Sequence, residues 1–204
     1  MNPRHHPSAD ILAAFASGAL EPGFGLVVGA HVEGCRVCAA QVAAYEAASG
    51  ASLEGLPDAP VREDALTRAL ARLDASVVDE PSPPRPLLHA LPLHPRRWVA
   101  PGVWVAAVDT PHAKNNRVYL LSVAPGMPTA RHSHSGAEFC TVLQGAYRDE
   151  LGVFAAGDFA AAEGAFDHQP VVQGDVACVC LFATEGRLKP RGLIGRLAFS
   201  LADV

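Results

Sequence analysis

No apolar run in this chain of 204 residues approaches the ~20 residues that a membrane helix needs. The longest, such as Ile11–Leu20, are closed off by Asp10 and Glu21. The charged Asp10 and the His5-His6 pair occupy the place of the n- and h-regions of a cleavable leader, so no export signal is expected. No basic run exists either, and a net charge of −5 argues against a direct nucleic-acid binder, which needs clustered Lys and Arg against phosphate. Aromatics make up only 6% of residues and charged residues 18%, yet half of the chain is hydrophobic, which excludes a disordered tail protein and supplies a packed core. The five cysteines are odd in number and tightly clustered among nine histidines. That pattern reads as metal ligation or redox chemistry in a reducing compartment rather than as a disulfide framework, so the cytoplasm is the expected location.

Two textures divide the chain. From Asp10 to Val78, Ala and Leu recur at helical spacing. Ser8 is placed to cap a first helix reaching about Ala19, Pro22 to open a second that reaches His31, and Gly34 to close it, with a third over Arg36–Ala48. Residues Gly50–Pro60 are expected as a loop. Arg62–Val77 sets Leu66, Leu70, Leu73 and Val77 on one stripe of an amphipathic fourth helix. Six prolines between Asp79 and Pro95 then favour an extended, semi-rigid linker. Beyond it, Val99–Val108, Val118–Ala124, Ala137–Leu143, Val153–Ala161 and Val176–Phe182 are β-type runs punctuated by Pro-Gly and Gly-Asp turns, which predicts an antiparallel sandwich or barrel. The expected organisation is therefore a helical domain over 1–78, a linker over 79–95 and a β domain over 96–204. Residues 1–78 hold five basic and nine acidic side chains, net −4, and the remainder only −1.

His31, Cys35 and Cys38 follow the spacing H-x3-C-x2-C. Two thiolates entering a helix, with an imidazole one turn earlier, can hold three corners of a tetrahedral ion. The fourth corner falls to the N-terminal pair, with His6 preferred for its nearness to Ser8 and His5 as the alternative. Four protein ligands leave no open position, so this site is expected to be structural. In the β region, His132, His134 and Glu138 share one face if the segment is a strand, and can meet one ion inside a barrel. The stretch from Gly126 to Gly145 resembles the first cupin motif, G-x5-H-x-H-x3-E-x6-G, at every defined position. Gly157 and His168 fall at the spacing of the second cupin motif, whereas Glu163, Ala165 and Val172 stand where its Pro, Gly and Asn belong. The expected ligands are His132, His134, Glu138 and His168, a set that suits zinc, manganese, iron or nickel. His89, His94 and His112 are expected to be loop histidines.

Cys178 and Cys180 share a strand face with Cα atoms ~6.6 Å apart, near the limit for a disulfide, and are candidates for a strained redox pair. Cys140 shares parity with Glu138 and is expected to face the barrel interior as well.

The order of these parts resembles the ChrR-type zinc anti-sigma factors over essentially the whole chain: His-His near the start, H-x3-C-x2-C, a fourth helix, a linker and a compact cupin. The resemblance implies an α + β two-domain fold, a small zinc-stapled all-α domain followed by an all-β cupin barrel. It implies Zn2+ on His6, His31, Cys35 and Cys38, and Zn2+ or another divalent metal (Mn, Fe, Ni) on His132, His134, Glu138 and His168. It also implies that the zinc domain grips a cytoplasmic extracytoplasmic-function (RpoE-like) sigma factor, released under singlet oxygen or related oxidative stress by way of the cupin. No catalysis is then expected, no direct nucleic-acid contact and no membrane. The alternative is a metal-dependent, dioxygenase-like cupin enzyme carrying a structural zinc module.

Overall fold

The computed structural model describes residues 3–75, 91–110, 115–162, 164, 167–186 and 189–191. Most of the proline-rich segment expected as a linker, together with His89, His112, Glu163 and Ala165, lies outside them. The chain opens with α1 (Ala9–Ala16), α2 (Pro22–Gly34), α3 (Arg36–Leu53) and α4 (Ala65–Ala75). Ser8 stands at the N-cap of α1, but its hydroxyl bonds no backbone amide of the helix. Gly18, at a φ of 70°, turns the chain out of α1, and Pro22 takes the first-turn position of α2, where its missing N–H costs nothing. Helix α3 continues through Gly50 to Leu53, past the expected loop start.

The β domain contains β1 (Arg97–Ala100), β2 (Val103–Val108), β3 (Asn116–Val123), β4 (His132–Ser133), β5 (Glu138–Gln144), β6 (Ala146–Asp149), β7 (Gly152–Ala155), β8 (Phe159–Ala162), β9 (Val171–Gln173), β10 (Cys178–Glu185) and β11 (Lys189–Pro190). Two of the runs read as single strands are broken. Gly102, at φ 75°, folds 97–108 into the β1–β2 hairpin, and Gly157, at φ 94°, separates β7 from β8. The strands form a six-stranded sheet in the order β1-β2-β3-β10-β5-β8, a three-stranded sheet β7-β6-β9 and the pair β11-β4. Every pairing is antiparallel.

The central strands β3, β5 and β10 of the six-stranded sheet are buried on both faces. On one, Tyr119, Leu121, Cys140, Cys178, Cys180 and Phe182 look into the space between the sheets. On the other, Val118, Leu120, Phe139, Leu181 and Ala183 form one apolar cluster with Leu12, Phe24, Val27 and Val28 of the helices. This is why the strands read as continuous apolar runs instead of alternating with polar residues. Helix α2 lies across this outer face, with the Phe24 and Phe139 rings 4.6 Å apart and the Thr141 hydroxyl donating to the Val27 carbonyl at 2.8 Å. Only a residue without a side chain fits where α2 meets β3, since a Cβ on Gly23 would sit 2.7 Å from Val118 Cγ2. Helix α4 stands apart from this core, with Leu66, Leu70 and Leu73 all exposed.

Candidate metal centres

The α2–α3 junction brings three of the predicted ligands together. Extended backbone at Cys35 ends one helix and starts the next, so Cys35 and Cys38 flank the same opening that His31 reaches from the last turn of α2. Residues 3–7 lie across it and deliver His6, whose Nδ1 is 3.4 Å from both Cys35 Sγ and Cys38 Sγ. His31 Nε2 is 3.3 Å from Cys38 Sγ. All four donor atoms lie within 4.8 Å of one another. Corners of a tetrahedral zinc shell with two sulfurs and two nitrogens are about 3.5 Å apart, so the spacing fits such an ion. His5, the alternative, points elsewhere: its Nε2 donates to the Val153 carbonyl at 3.1 Å. His31 Nδ1 donates to the Gly157 carbonyl at 2.7 Å, which fixes the tautomer and leaves the Nε2 lone pair facing the thiols. Burial pushes the Cys38 thiol up to about 12, with the neighbouring Cys35 thiol adding to it, an order that a bound divalent cation reverses by taking the thiolate.

The second set is assembled from three elements rather than one strand. His132 begins the two-residue β4, His134 follows it, and a bend at 135–136 precedes Glu138 at the start of β5. The expected single strand is thus two, and the three side chains converge because the bend turns Glu138 back toward β4. His168 arrives by an isolated bridge to His132. The His168 Nε2 lies 3.2 Å from His132 Nε2 and 3.2 Å from His134 Nε2, and Glu138 Oε2 is 3.6 Å from His134 Nδ1. All four residues are buried.

The hydrogen bonds of the outer ring nitrogens set the tautomers of this cluster. His132 Nδ1 donates to the Ala130 carbonyl at 2.8 Å and His168 Nδ1 to Asp149 Oδ2 at 3.0 Å. Both Nε2 atoms then present bare lone pairs to each other at 3.2 Å, an arrangement that a cation between them turns from repulsive to favourable. Burial drives His132 and His134 down to about 4 and Glu138 up to about 8, so the neutral imidazoles are already in ligand form and the carboxylate needs a positive charge to ionise. Asp149, at the end of β6, is the outer hydrogen-bond partner that orients His168. No local motif announces it, because the contact joins the end of β6 to a residue 19 positions on.

A cavity of about 540 Å³ adjoins this cluster, walled by apolar residues such as Val105, Leu121, Tyr147 and Phe182 and reached by His132, Glu138 and His168. The three remaining cysteines line it too. Cys178 and Cys180 share a face, with their sulfurs 3.6 Å apart. Neighbouring thiol hydrogen bonds and burial push both thiols up, and burial does the same for Cys140, so all three are held protonated and are poor nucleophiles. His94 lies at the start of the β domain, its backbone N–H paired with the Ala107 carbonyl.

Residues 91–188 match the family model of the ChrR cupin-like domain. The chain is 32% identical to the anti-sigma-E factor ChrR of Cereibacter sphaeroides over 97% of both chains. It also superposes, with a TM-score of 0.79 and 34% identity, on a chain of the crystal structure of Rhodobacter sphaeroides SigE in complex with the anti-sigma ChrR, covering 90% of this chain and 100% of that one. No helix among the described residues is long and apolar enough to cross a membrane.

Proposed function

The chain belongs to the ChrR family of anti-sigma factors, and from that premise we propose that it binds and inhibits a sigma factor of the extracytoplasmic-function class in the cytoplasm. The likeness along 97% of both chains carries this reading, because it spans the helical part and the β domain alike. In this reading residues 1–78 grip the sigma factor. Their net charge of −4 complements a basic DNA-binding partner, and the exposed Leu66, Leu70 and Leu73 offer it an apolar stripe. Zinc on His6, His31, Cys35 and Cys38 staples the helical part, and a divalent metal on His132, His134, Glu138 and His168 occupies the cupin. Such a metal supplies an oxidisable or ligand-exchanging centre beside the cavity. Oxidative signals of the singlet-oxygen type act there or at Cys178 and Cys180, and distortion of the β domain releases the sigma factor. The Cys178 and Cys180 thiols are held protonated, which slows their attack on an oxidant.

Purification of the tagged chain from its host tests this directly. A sigma factor recovered at near one-to-one stoichiometry is the expected result, and its absence under non-oxidising conditions rejects the reading. The His134→Ala and Cys178→Ser/Cys180→Ser variants are expected to retain the sigma factor while responding less to singlet oxygen in a sigma-dependent reporter.

A second reading, a metal-dependent cupin enzyme, draws support from one observation: the cavity beside the ligands is large enough for a small substrate. Turnover of an oxidisable small molecule by the purified metal-loaded chain, with no sigma factor bound, would favour it.

A further inference from the structure

The histidines of the N-terminal cluster are not held by the helices alone. The turn between β7 and β8 reaches His31 directly and, for His6, the residues just before it. The Gly157 carbonyl accepts from His31 Nδ1 at 2.7 Å. Next to it, the Asp158 carboxylate, only 2% exposed as a residue, accepts from the backbone N–H groups of Arg4 at 2.6 Å and His5 at 3.1 Å through Oδ1. Its Oδ2 accepts from the Ala155 N–H at 2.8 Å. The strap formed by residues 3–7 is pinned at three further points, one of them the His5 Nε2 bond to the Val153 carbonyl. Phe159 N–H donates to the His5 carbonyl at 3.0 Å, and the His5 ring lies 4.3 Å from that of Phe154.

A carboxylate that merely shaped its own turn would need only the Ala155 bond. The Oδ1 atom instead engages a segment more than 150 positions away, immediately before His6. Buried charge is tolerated where hydrogen bonds repay its lost hydration, and here two of the three donors come from the strap.

The geometry points to the Gly157–Asp158 turn as the positioning element of the N-terminal metal centre. Gly157 sets the orientation of His31, and Asp158 holds the strap that delivers His6, so the β domain tunes the metal affinity of a Cys/His cluster otherwise carried by the helices. By linkage, loading that cluster tightens the docking of the strap on the β domain, and loosening the turn weakens the cluster's hold on its ion. This inference rests on the reading of His6, His31, Cys35 and Cys38 as a metal centre.

Cobalt(II) is the probe, added to the full chain and withdrawn by a competing chelator. Thiolate-to-cobalt absorption reports on the Cys35/Cys38 centre, with the Cys35→Ser/Cys38→Ser variant as the blank. Asp158→Asn places an amide N–H against a backbone N–H whichever way it is turned. Arg4→Pro removes one donor at an exposed position of the strap and leaves the β domain's own residues unchanged, so it decides the matter even if Asp158→Asn fails to fold. Thr141→Val serves as the control, since it removes a different helix-to-sheet hydrogen bond, that to Val27, without touching the turn. The expected result is a cobalt Kd about 10- to 100-fold weaker in Asp158→Asn and Arg4→Pro, the range seen when outer partners of metal ligands are removed, and within twofold of wild type in Thr141→Val. A Kd within twofold of wild type in Arg4→Pro or in folded Asp158→Asn overturns the inference. So does an equal loss in Thr141→Val, which would mean general loosening of the interface. Absence of any thiolate–cobalt band in the wild-type chain overturns the metal-centre reading itself and is distinguishable from those outcomes.

Discussion

Replacing Leu66 and Leu73 of α4 together by alanine should cost the complex with the sigma factor much and the free chain almost nothing. The two side chains are 71% and 70% exposed, and Leu70 between them is 52% exposed. Fully burying a leucine stabilises by roughly 1.5–3 kcal/mol, so covering the exposed two-thirds of each contributes roughly 1–2 kcal/mol on docking. The double variant therefore forfeits roughly 2–4 kcal/mol, which at about 1.4 kcal/mol per tenfold is a Kd weaker by about 30-fold or more. In the free chain the same substitutions fall on solvent-exposed helix positions, where alanine is at least as good a helix former and effects stay within about 0.5 kcal/mol. Titration calorimetry against the sigma factor, paired with thermal unfolding of the free variant, separates the two effects. A Kd change under threefold would refute the assignment of α4 as a docking element. A clear fall in Tm of the free variant would show that the stripe packs within the chain.

Three further outcomes follow from the geometry. Leu181→Ala, at a position with 0% exposure between β10 and α2, should destabilise by about 2–5 kcal/mol, with helical and strand signals lost in one transition; two separate transitions would contradict the shared core. Asp149→Asn should weaken divalent-metal binding at the cupin cluster by about 10- to 100-fold, measured by chelator competition, while leaving the thiolate centre unchanged. The pH dependence of metal-stripped protein has two arms. His132 and His134, held down at about 4 against an ordinary 6.5, bind fewer protons folded than unfolded, so they lower stability as pH falls from 6.5 toward 4. Glu138, held up at about 8 against 4.5, binds more protons folded than unfolded, so it lowers stability as pH rises from 4.5 toward 8. Two groups outweigh one below about pH 6.5 and Glu138 acts alone above it, so urea unfolding should find a maximum near about pH 6.5 and a decline toward about 8. Metal loading should abolish that decline, and a decline that persists would refute the carboxylate's role.

Local pattern foretold elements better than their docking. Cys178 and Cys180 share a face, and Cys140 looks inward with Glu138, because strand parity is a two-residue rule that tertiary structure rarely breaks. The convergence of His132, His134 and Glu138 was legible from spacing, although parity along one strand was the wrong reason: β4 is only two residues long and the bend at 135–136 does the aiming. His6 and His5 could not be separated from spacing, since the choice is made by Asp158 and Val153, far along the chain. Asp149 and Asp158 were invisible for the same reason. The docking of α2 does carry a local signal. Helix α2 carries no charged side chain from Pro22 until Glu33, and a helix apolar all round is one that must be covered on more than one side.

The burial of α2 against β3, β5 and β10 also sets an order in time. The helix is complete once residue 34 is made, but the strands that cover it are not all made until β10 ends at Glu185. At ribosomal speeds of ~5–20 residues per second, the face of Phe24, Val27 and Val28 waits roughly 8–30 seconds for its cover. Cys35 and Cys38 emerge together with that face, whereas Gly157 of the β7–β8 turn is made 119 residues after Cys38. The nascent chain therefore passes through a stage in which its thiols can take up an ion while an apolar helix face still stands open to chaperones, to other nascent chains, or to any partner that reaches it before β10 does.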